Sequence, residues 1–262
     1  MSLRIGTLNI WNRLGPWEER LPAIREGVLA ECVDVLFLQE VVNLDGFNQA
    51  ELIAEGHNYA IVYGRHTGAQ LPMGNAILSR FPILHQEVFD LPTGNTIERR
   101  TCVYALLDAP CGKLPVFNTH LNWRFDEGHV RELQVRLIAD LVQKICTDES
   151  WYPPVLAGDF NAEPDSDEIR FLRGLTSLGA PRRVYYADAF AAAGEGLGIT
   201  FARRNPFAAQ LHQPNRRIDY IFVRGYDERF RGTPLEAHVA FDTPNHGVFA
   251  SDHFGVVATL ST

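Results

Sequence analysis

The chain has 262 residues, 46% hydrophobic and 21% charged, with 21 Gly, 15 Pro and 4 Cys. That apolar fraction excludes a disordered chain, and the ordinary Gly and Pro content excludes collagen-like or low-complexity sequence. A chain of this length buries roughly 70–75% of its unfolded surface and needs no covalent staple, while no apolar run approaches the ~18 residues of a membrane span. The first residues lack the basic stretch and greasy core of a signal peptide, and Cys32, Cys102, Cys111 and Cys146 show no metal-ligand spacing. The expectation is a single domain over 1–262 in a reducing cytoplasm, with its thiols scattered and buried.

In chain order, residues 3–10 read as a strand and 17–30 as a helix. The uniform apolar run 34–38 is too short for an amphipathic helix and reads as a buried strand. A helix over 47–55 precedes strands at 59–63 and 75–79. The pattern then turns β-rich, with strands at 83–91, 101–107 and 114–118. The clearest helix follows, with Val130, Leu133, Leu137, Ile138, Leu141, Val142 and Ile145 at 3–4 spacing. A strand at 153–157, a helix at 165–175 with acids in its first turn, and strands at 218–223, 235–240 and 254–260 complete the set. Strands outnumber helices and cluster like hairpins in both halves, which predicts an α/β (α+β) fold of two packed mixed β-sheets flanked by helices rather than a doubly wound parallel sheet.

The net charge of −8 is unevenly distributed. Residues 170–231 hold 11 Arg, no Lys and 5 acids, a local +6, and the rest of the chain carries −14. An acidic protein is poorly suited to tracking bulk nucleic acid through counterion release. Forked guanidiniums nevertheless suit a single phosphate-bearing substrate, although a solvated Arg-rich face explains the run equally well.

The informative polar residues each sit at the end of an expected strand. Asn9 ends the first, Gln39 and Glu40 the second, and Asn118, Thr119 and His120 follow the run 114–117. Asp159 and Asn161 follow 154–157, Asp219 lies in Arg217-Ile218-Asp219-Tyr220, and Ser251-Asp252-His253 opens the last strand. An isolated Asn or Asp at such a place is usually a turn former, and a lone His or Glu is usually structural or exposed. Six such events on one sheet scaffold instead indicate a convergent site. Glu40, Asp159 and Asp252, with the amide oxygens of Asn9 and Asn161, make a pool of hard oxygen ligands suited to Mg²⁺ or Mn²⁺. His120 and His253 carry protons near neutral pH, and Asp219 can orient one of them. This is equipment for hydrolysing a phosphate ester.

Thr7-Leu8-Asn9, Gln39-Glu40, Gly74-Asn75-Ala76-Ile77-Leu78-Ser79-Arg80, Asn118-Thr119-His120-Leu121, Gly158-Asp159-Phe160-Asn161, Arg217-Ile218-Asp219-Tyr220 and Ser251-Asp252-His253 occur in this order. Each is weak alone, but together they resemble the endonuclease/exonuclease/phosphatase superfamily of DNase I-like enzymes from Thr7 to His253. The resemblance implies a four-layer sandwich with the site at one sheet edge. It implies Glu40 as the principal Mg²⁺ ligand, assisted by Asn9 and Asp252, with Asp159 and Asn161 holding the attacking water and a phosphate oxygen. His253 with Asp219 would be the base or the phosphate-polarising group. Schemes within the family give water activation to either Asp159 or His253; His253 is favoured here because Asp219 beside it makes sense if that imidazole becomes cationic. His120 matches the position that contacts phosphate or protonates the leaving oxygen. Asn75, Arg100 and Asn118 are candidates for phosphate or supporting roles, whereas Arg80 reads as structural.

Substrate identity is less legible. The partner expected is a phosphoester, either nucleic acid or a lipid headgroup, with no obligate protein partner and no transmembrane segment. Trp11, Trp123 and Phe125 lie beside motif residues and can stack on a base or pack on the sheet edge. The signal peptide and apolar hairpin of a secreted sphingomyelinase are not evident, and neither is the dense Lys/Arg pocket of an inositol phosphatase. The expectation is a Mg²⁺-dependent phosphodiesterase, with a small phosphodiester, a lipid headgroup and a nucleic-acid end all open as substrates (a DNA/RNA endonuclease or exonuclease among them), and a sphingomyelinase-like phosphodiesterase or a phosphomonoesterase as alternatives. Outside enzymology, the alternative is a silent phosphate-binding module, which a missing Glu40, Asp159 or His253 would have signalled.

Overall fold

A computed structural model describes residues 2–66, 72–179, 184–225 and 227–262. Its elements in chain order are β1 (Ser2–Asn9), α1 (Trp17–Glu31), β2 (Val35–Leu44), β3 (Phe47–Asn48), α2 (Gln49–Ala54), β4 (Ala60–Arg65), β5 (Met73–Ser79), β6 (Ile83–Asp90), β7 (Thr101–Ala109), β8 (Gly112–His120), α3 (Gly128–Ile145), β9 (Val155–Asp159), α4 (Asp167–Leu172), β10 (Tyr186–Asp188), α5 (Ala189–Ala193), α6 (Pro206–Ala209), β11 (Asp219–Arg224), β12 (Pro234–Ala240) and β13 (Gly255–Ser261).

One sheet has the order β12-β13-β1-β2-β5-β4, with β3 paired to β2; the other has the order β10-β11-β9-β8-β7-β6. Each contains one parallel pair near its middle, β1 with β2 and β8 with β9, among antiparallel neighbours. Period-2 alternation divides the apolar side chains. Ile5, Phe37, Ile77, Val103, Val116, Ala157 and Val256 meet in the layer between the sheets. Leu8, Leu36, Leu38 and Leu78 face outward and pack on Ile24 and Val28 of α1 and Ile53 of α2. On the opposite outer face Tyr104, Phe117, Leu156 and Phe222 pack on Val135, Ile138 and Val142 of α3 and Ile169 of α4. The result is the expected helix–sheet–sheet–helix sandwich.

Several boundaries differ from the sequence expectation for local reasons. The helix expected over 47–55 is shorter: Phe47–Asn48 pairs with β2, and the Asn48 side chain accepts from Ala50 N, so α2 starts only after this cap. The helix expected over 165–175 spans only Asp167–Leu172. The short elements β10, α5 and α6, of three to five residues, are too brief for periodicity to reveal. Most consequentially, β2 does not end at Leu38. It runs on to Leu44 through a β-bulge, where Leu38 pairs with Ala76 but Val41 with Gly74, so one residue is extra on β2. Glu40 sits in that bulge with φ of 59°.

Of the four thiols, Cys102 and Cys146 are buried and Cys111 half-buried, but Cys32 is exposed, which corrects the expectation of buried thiols throughout; all four are free. Arg80 stacks on the Tyr59 ring at 5.6 Å, a structural contact. Among the described residues no helix is long and apolar enough to cross a membrane.

Candidate active site

Strand register assembles the site. In the second sheet His120 pairs with Asp159 across the parallel β8–β9 ladder, and Asp159 pairs with Asp219 across the antiparallel β9–β11 ladder. Three polar residues therefore stand abreast on adjacent strands, at the ends of β8 and β9 and the start of β11. Gly158 permits this crowding. Its φ is 142°, and a Cβ there would lie 1.9 Å from Thr119 O. In the first sheet Asn9, the last residue of β1, is level with Gln39. The segment before β13 returns Asp252 and His253 to the same edge, where Ser251 Oγ donates to Asn9 O at 2.6 Å and His253 bridges Phe201.

His253 Nδ1 lies 3.0 Å from Asp219 Oδ2, and its Nε2 is 3.8 Å from Asp159 Oδ2. Asp159 is the junction. Its Oδ2 also accepts from Asn9 Nδ2 at 3.0 Å and lies 3.4 Å from His120 Nε2, while its Oδ1 accepts from Asn161 N at 2.9 Å. Asn161 adopts φ of 50° and anchors its amide on Leu121 O. Ligand atoms of Asp159, Asp219 and His253 all lie within 4.8 Å of one another. Glu40 joins through amides: Asn9 Nδ2 donates to its Oε1 at 3.3 Å and Asn12 Nδ2 to its Oε2 at 2.7 Å. Asn9, Asp159, Asp219 and the two histidines are all buried.

Burial raises Asp252 to about 7, with the negative charge of Glu40 adding to the rise against the pull of His253. Burial and the neighbouring Asp219 lift Asp159 to about 6. Burial opposes charge on His253, but Asp219 and Asp159 outweigh it and raise the imidazole to about 10. Burial, with Arg100, His66 and His253 nearby, holds His120 well below the usual histidine range and keeps it neutral. The site is thus a set of crowded, buried carboxylates with too little positive charge among them. A divalent cation suits such a set of donors, because it supplies what the carboxylates lack. Among the described residues the group close enough to share one ion is Asp159, Asp219 and His253, while Asn9 turns its Nδ2 to Glu40 and Asp159 and its Oδ1 to Trp11 N.

Other expected site residues have different surroundings. Asn118 is fully buried between the sheets: its Nδ2 donates to Leu38 O at 2.9 Å and Ala76 O at 2.7 Å, and its Oδ1 accepts from Gln39 Nε2 at 2.8 Å. Both amide protons are committed, so Asn118 ties the sheets together rather than binding phosphate. Asn75 donates to Thr101 O at 3.0 Å and leaves a buried Oδ1 unpaired. Arg100 pairs with Glu98 and keeps Nε and Nη1 buried and unpaired.

Sequence reading missed three contributors. His66 is buried with Nδ1 3.0 Å from Thr101 Oγ1, and burial and Arg100 lower it to about 3. Asn12 holds Glu40, as described. Arg20, fully buried on α1, donates to Ile10 O at 2.8 Å and Ala250 O at 2.9 Å and so fixes two loops that carry site residues. No local pattern distinguishes His66 or Arg20; only Asn12, three residues beyond Asn9, lies near a motif.

Members of the Arg-rich segment divide by partner. Arg217 pairs with Asp188 at 2.9 Å, Arg204 with Asp242 at 2.5 Å, and Arg231 with Asp227 at 2.6 Å, while Arg203 Nε donates to Gln213 O at 3.0 Å. Arg182 and Arg183 lie outside the described residues. Of the three candidate stacking aromatics, Trp11 packs against Phe207 at 5.0 Å and Arg20, whereas Trp123 and Phe125 are exposed.

Comparison with known proteins bears on the family and the fold. The profile of the Endonuclease/Exonuclease/phosphatase family matches residues 6–253. Protein YbhP of Escherichia coli (strain K12) is 32% identical over 178 residues, covering 61% of this chain and 67% of its own. Protein angel of Drosophila melanogaster is 29% identical over 272 residues, covering 94% of this chain and 72% of its own. The structure of D. rerio TDP2 complexed with single strand DNA product superposes with a TM-score of 0.77 at 19% identity, covering 100% of this chain and 99% of that one.

Proposed function

Because the chain belongs to the endonuclease/exonuclease/phosphatase family, whose members are metal-dependent hydrolases of phosphoester bonds, we propose that it hydrolyses a phosphodiester with Mg²⁺ as its cation and His253 as the group that takes the proton from water. The observation that carries this reading is the His253–Asp219 contact of 3.0 Å beside the buried Asp159 carboxylate.

Asp219 fixes the proton of His253 on Nδ1 and leaves Nε2 facing Asp159. Where His253 is in its neutral form, water attacks phosphorus and gives a proton to Nε2, and Asp219 stabilises the imidazolium formed. The phosphorus–oxygen ester bond breaks, and the departing oxygen takes up a proton from solvent. Asp159 and Asn161 orient the water and a phosphate oxygen. His120, held neutral, serves as an N–H donor to phosphate rather than as an acid. Glu40, Asp252 and Asn9 would hold the cation, which when bound polarises the phosphate and lowers the proton affinity of the nearby imidazole. Asn75 and Arg100, each with a buried polar atom left unpaired, support the phosphate end of the site. The substrate is a phosphodiester of nucleic-acid type, a reading supported by the likeness in fold to a protein whose structure holds a single strand DNA product.

The test is turnover of bis-p-nitrophenyl phosphate with Mg²⁺, with EDTA, and with Mg²⁺ or Mn²⁺ restored. Hydrolysis that disappears in EDTA and returns with either cation supports the reading. No cation-dependent turnover would instead leave a phosphate-binding module.

A further inference from the structure

Arg216 and its neighbours form a feature that the chemistry above does not use. Arg216 is only 5% exposed, its Nη2 donates to Gln213 Oε1 at 2.5 Å, and its Nε is buried without a partner. Its guanidinium carbon lies 4.5 Å from the Phe125 ring centroid and 5.4 Å from that of Phe201. Phe201 in turn meets His253 edge-on at 5.1 Å. A chain of contacts thus runs from the imidazole through Phe201 and Arg216 to Phe125, a residue that is 57% exposed. Burial weakens the proton affinity of Arg216, and the charges that counter this are those of Asp159, Glu163 and Asp219, so the guanidinium shares the electrostatic surroundings of the site. Beside it Trp123 is 46% exposed, with Arg124 over its ring at 5.0 Å.

We infer that Arg216 and Phe125 clamp the nucleotide next to the scissile phosphate, with Arg216 taking the phosphate and the exposed face of Phe125 stacking an unpaired base. This rests on the phosphodiesterase reading and narrows its substrate to single-stranded or frayed nucleic acid. A guanidinium with an unpaired N–H is suited to a phosphate oxygen. A ring with a cation against one face presents its other face to a flat partner, and base stacking of this kind is sequence-tolerant. Both exposed aromatics are planar and backed by guanidinium, which fits a nucleobase better than an acyl chain.

The test is fluorescence anisotropy of a labelled six-nucleotide single-stranded DNA and of a blunt duplex of the same sequence, in EDTA so that nothing is cleaved. Phe125→Ala, at an exposed position, should weaken single-strand binding about tenfold and leave duplex binding unchanged; Phe125→Trp should retain it. Arg216→Lys, folded by its melting curve, should weaken binding about tenfold while keeping the charge. Absence of binding by the wild type, or unchanged affinity in Phe125→Ala, overturns the inference. So does Phe125-dependent flotation of the protein with phosphatidylcholine vesicles, which would identify a lipid surface instead. Because binding is read without turnover, failure of the phosphodiesterase reading shows separately, as no cation-dependent hydrolysis.

Discussion

His253 Nδ1 lies 3.0 Å from Asp219 Oδ2, joining residues 34 apart in the chain within a buried setting. The carboxylate has little to do there unless it controls the proton on that imidazole, since His253 needs no salt bridge to pack against Phe201. Asp219→Asn should therefore lower kcat by about 10²–10⁴ with little change in KM. The pH–rate profile distinguishes this from a structural effect: the imidazole should titrate closer to its ordinary range in the variant. A kcat within tenfold of wild type, with an unmoved profile, would shift water activation to Asp159.

Glu40→Gln removes a charge from the carboxylate group while keeping the shape that Asn9 and Asn12 hold. Mg²⁺ affinity by titration calorimetry should fall at least tenfold. The metal-free variant should melt close to wild type, the loss of a negative charge that raises Asp252 offsetting the one amide hydrogen bond that Gln cannot accept from Asn9 or Asn12. Unchanged affinity would remove Glu40 from the cation's ligands.

The metal-free protein should lose stability as pH rises. His253 is raised from 6.5 to about 10, so its contribution is complete below about 6.5 and is lost as pH climbs towards 10. Asp252, raised to about 7, acts in the same direction, since deprotonation there is costlier in the folded state. The melting temperature in EDTA should fall between pH 7 and 10. Conversely, the stabilisation given by Mg²⁺ should grow between pH 6 and 8, as Asp159 and Asp252 ionise. A flat EDTA curve across pH 7–10 would contradict this.

Asn118→Ala strands the carbonyls of Leu38 and Ala76 and the amide of Gln39 between the sheets. Unfolding in urea should show a loss of about 2–4 kcal/mol. A loss of phosphate affinity without a loss of stability would return Asn118 to the substrate.

Much of this was legible because polar residues terminate apolar runs. Asn9, His120, Asp159, Asp219, Asp252 and His253 end, begin or precede strands whose apolar runs are plain in the sequence, and the facing strand ends of the two sheets collect them. Glu40 was identifiable by its motif, but not its bulge, because a positive φ in a non-glycine residue is fixed by tertiary pairing. Asn118 looked like its motif neighbour His120, yet its amide is taken up by backbone of the other sheet, a partner that only the packing of the two layers brings near. Arg216 and Arg217 are adjacent and chemically identical; only Asp188, brought in by β10, separates the paired guanidinium from the one stacked on Phe125. His66 and Arg20 carry no local signal, since burial alone gives them their roles.

The amide bridge from Gln39 to Asn118 has a mechanical side. Apolar layers can slide over one another at little cost, since the packing given up at one position is recovered at the next. A directional polar rivet at 2.8 Å, flanked by two further bonds to backbone, permits one alignment only. Half of the candidate site rides on each slab, Glu40 and Asn9 on one and His120, Asp159 and Asp219 on the other. Shear of about an ångström would separate them while each hydrophobic layer stayed whole, so heating should silence the chemistry before it melts the chain.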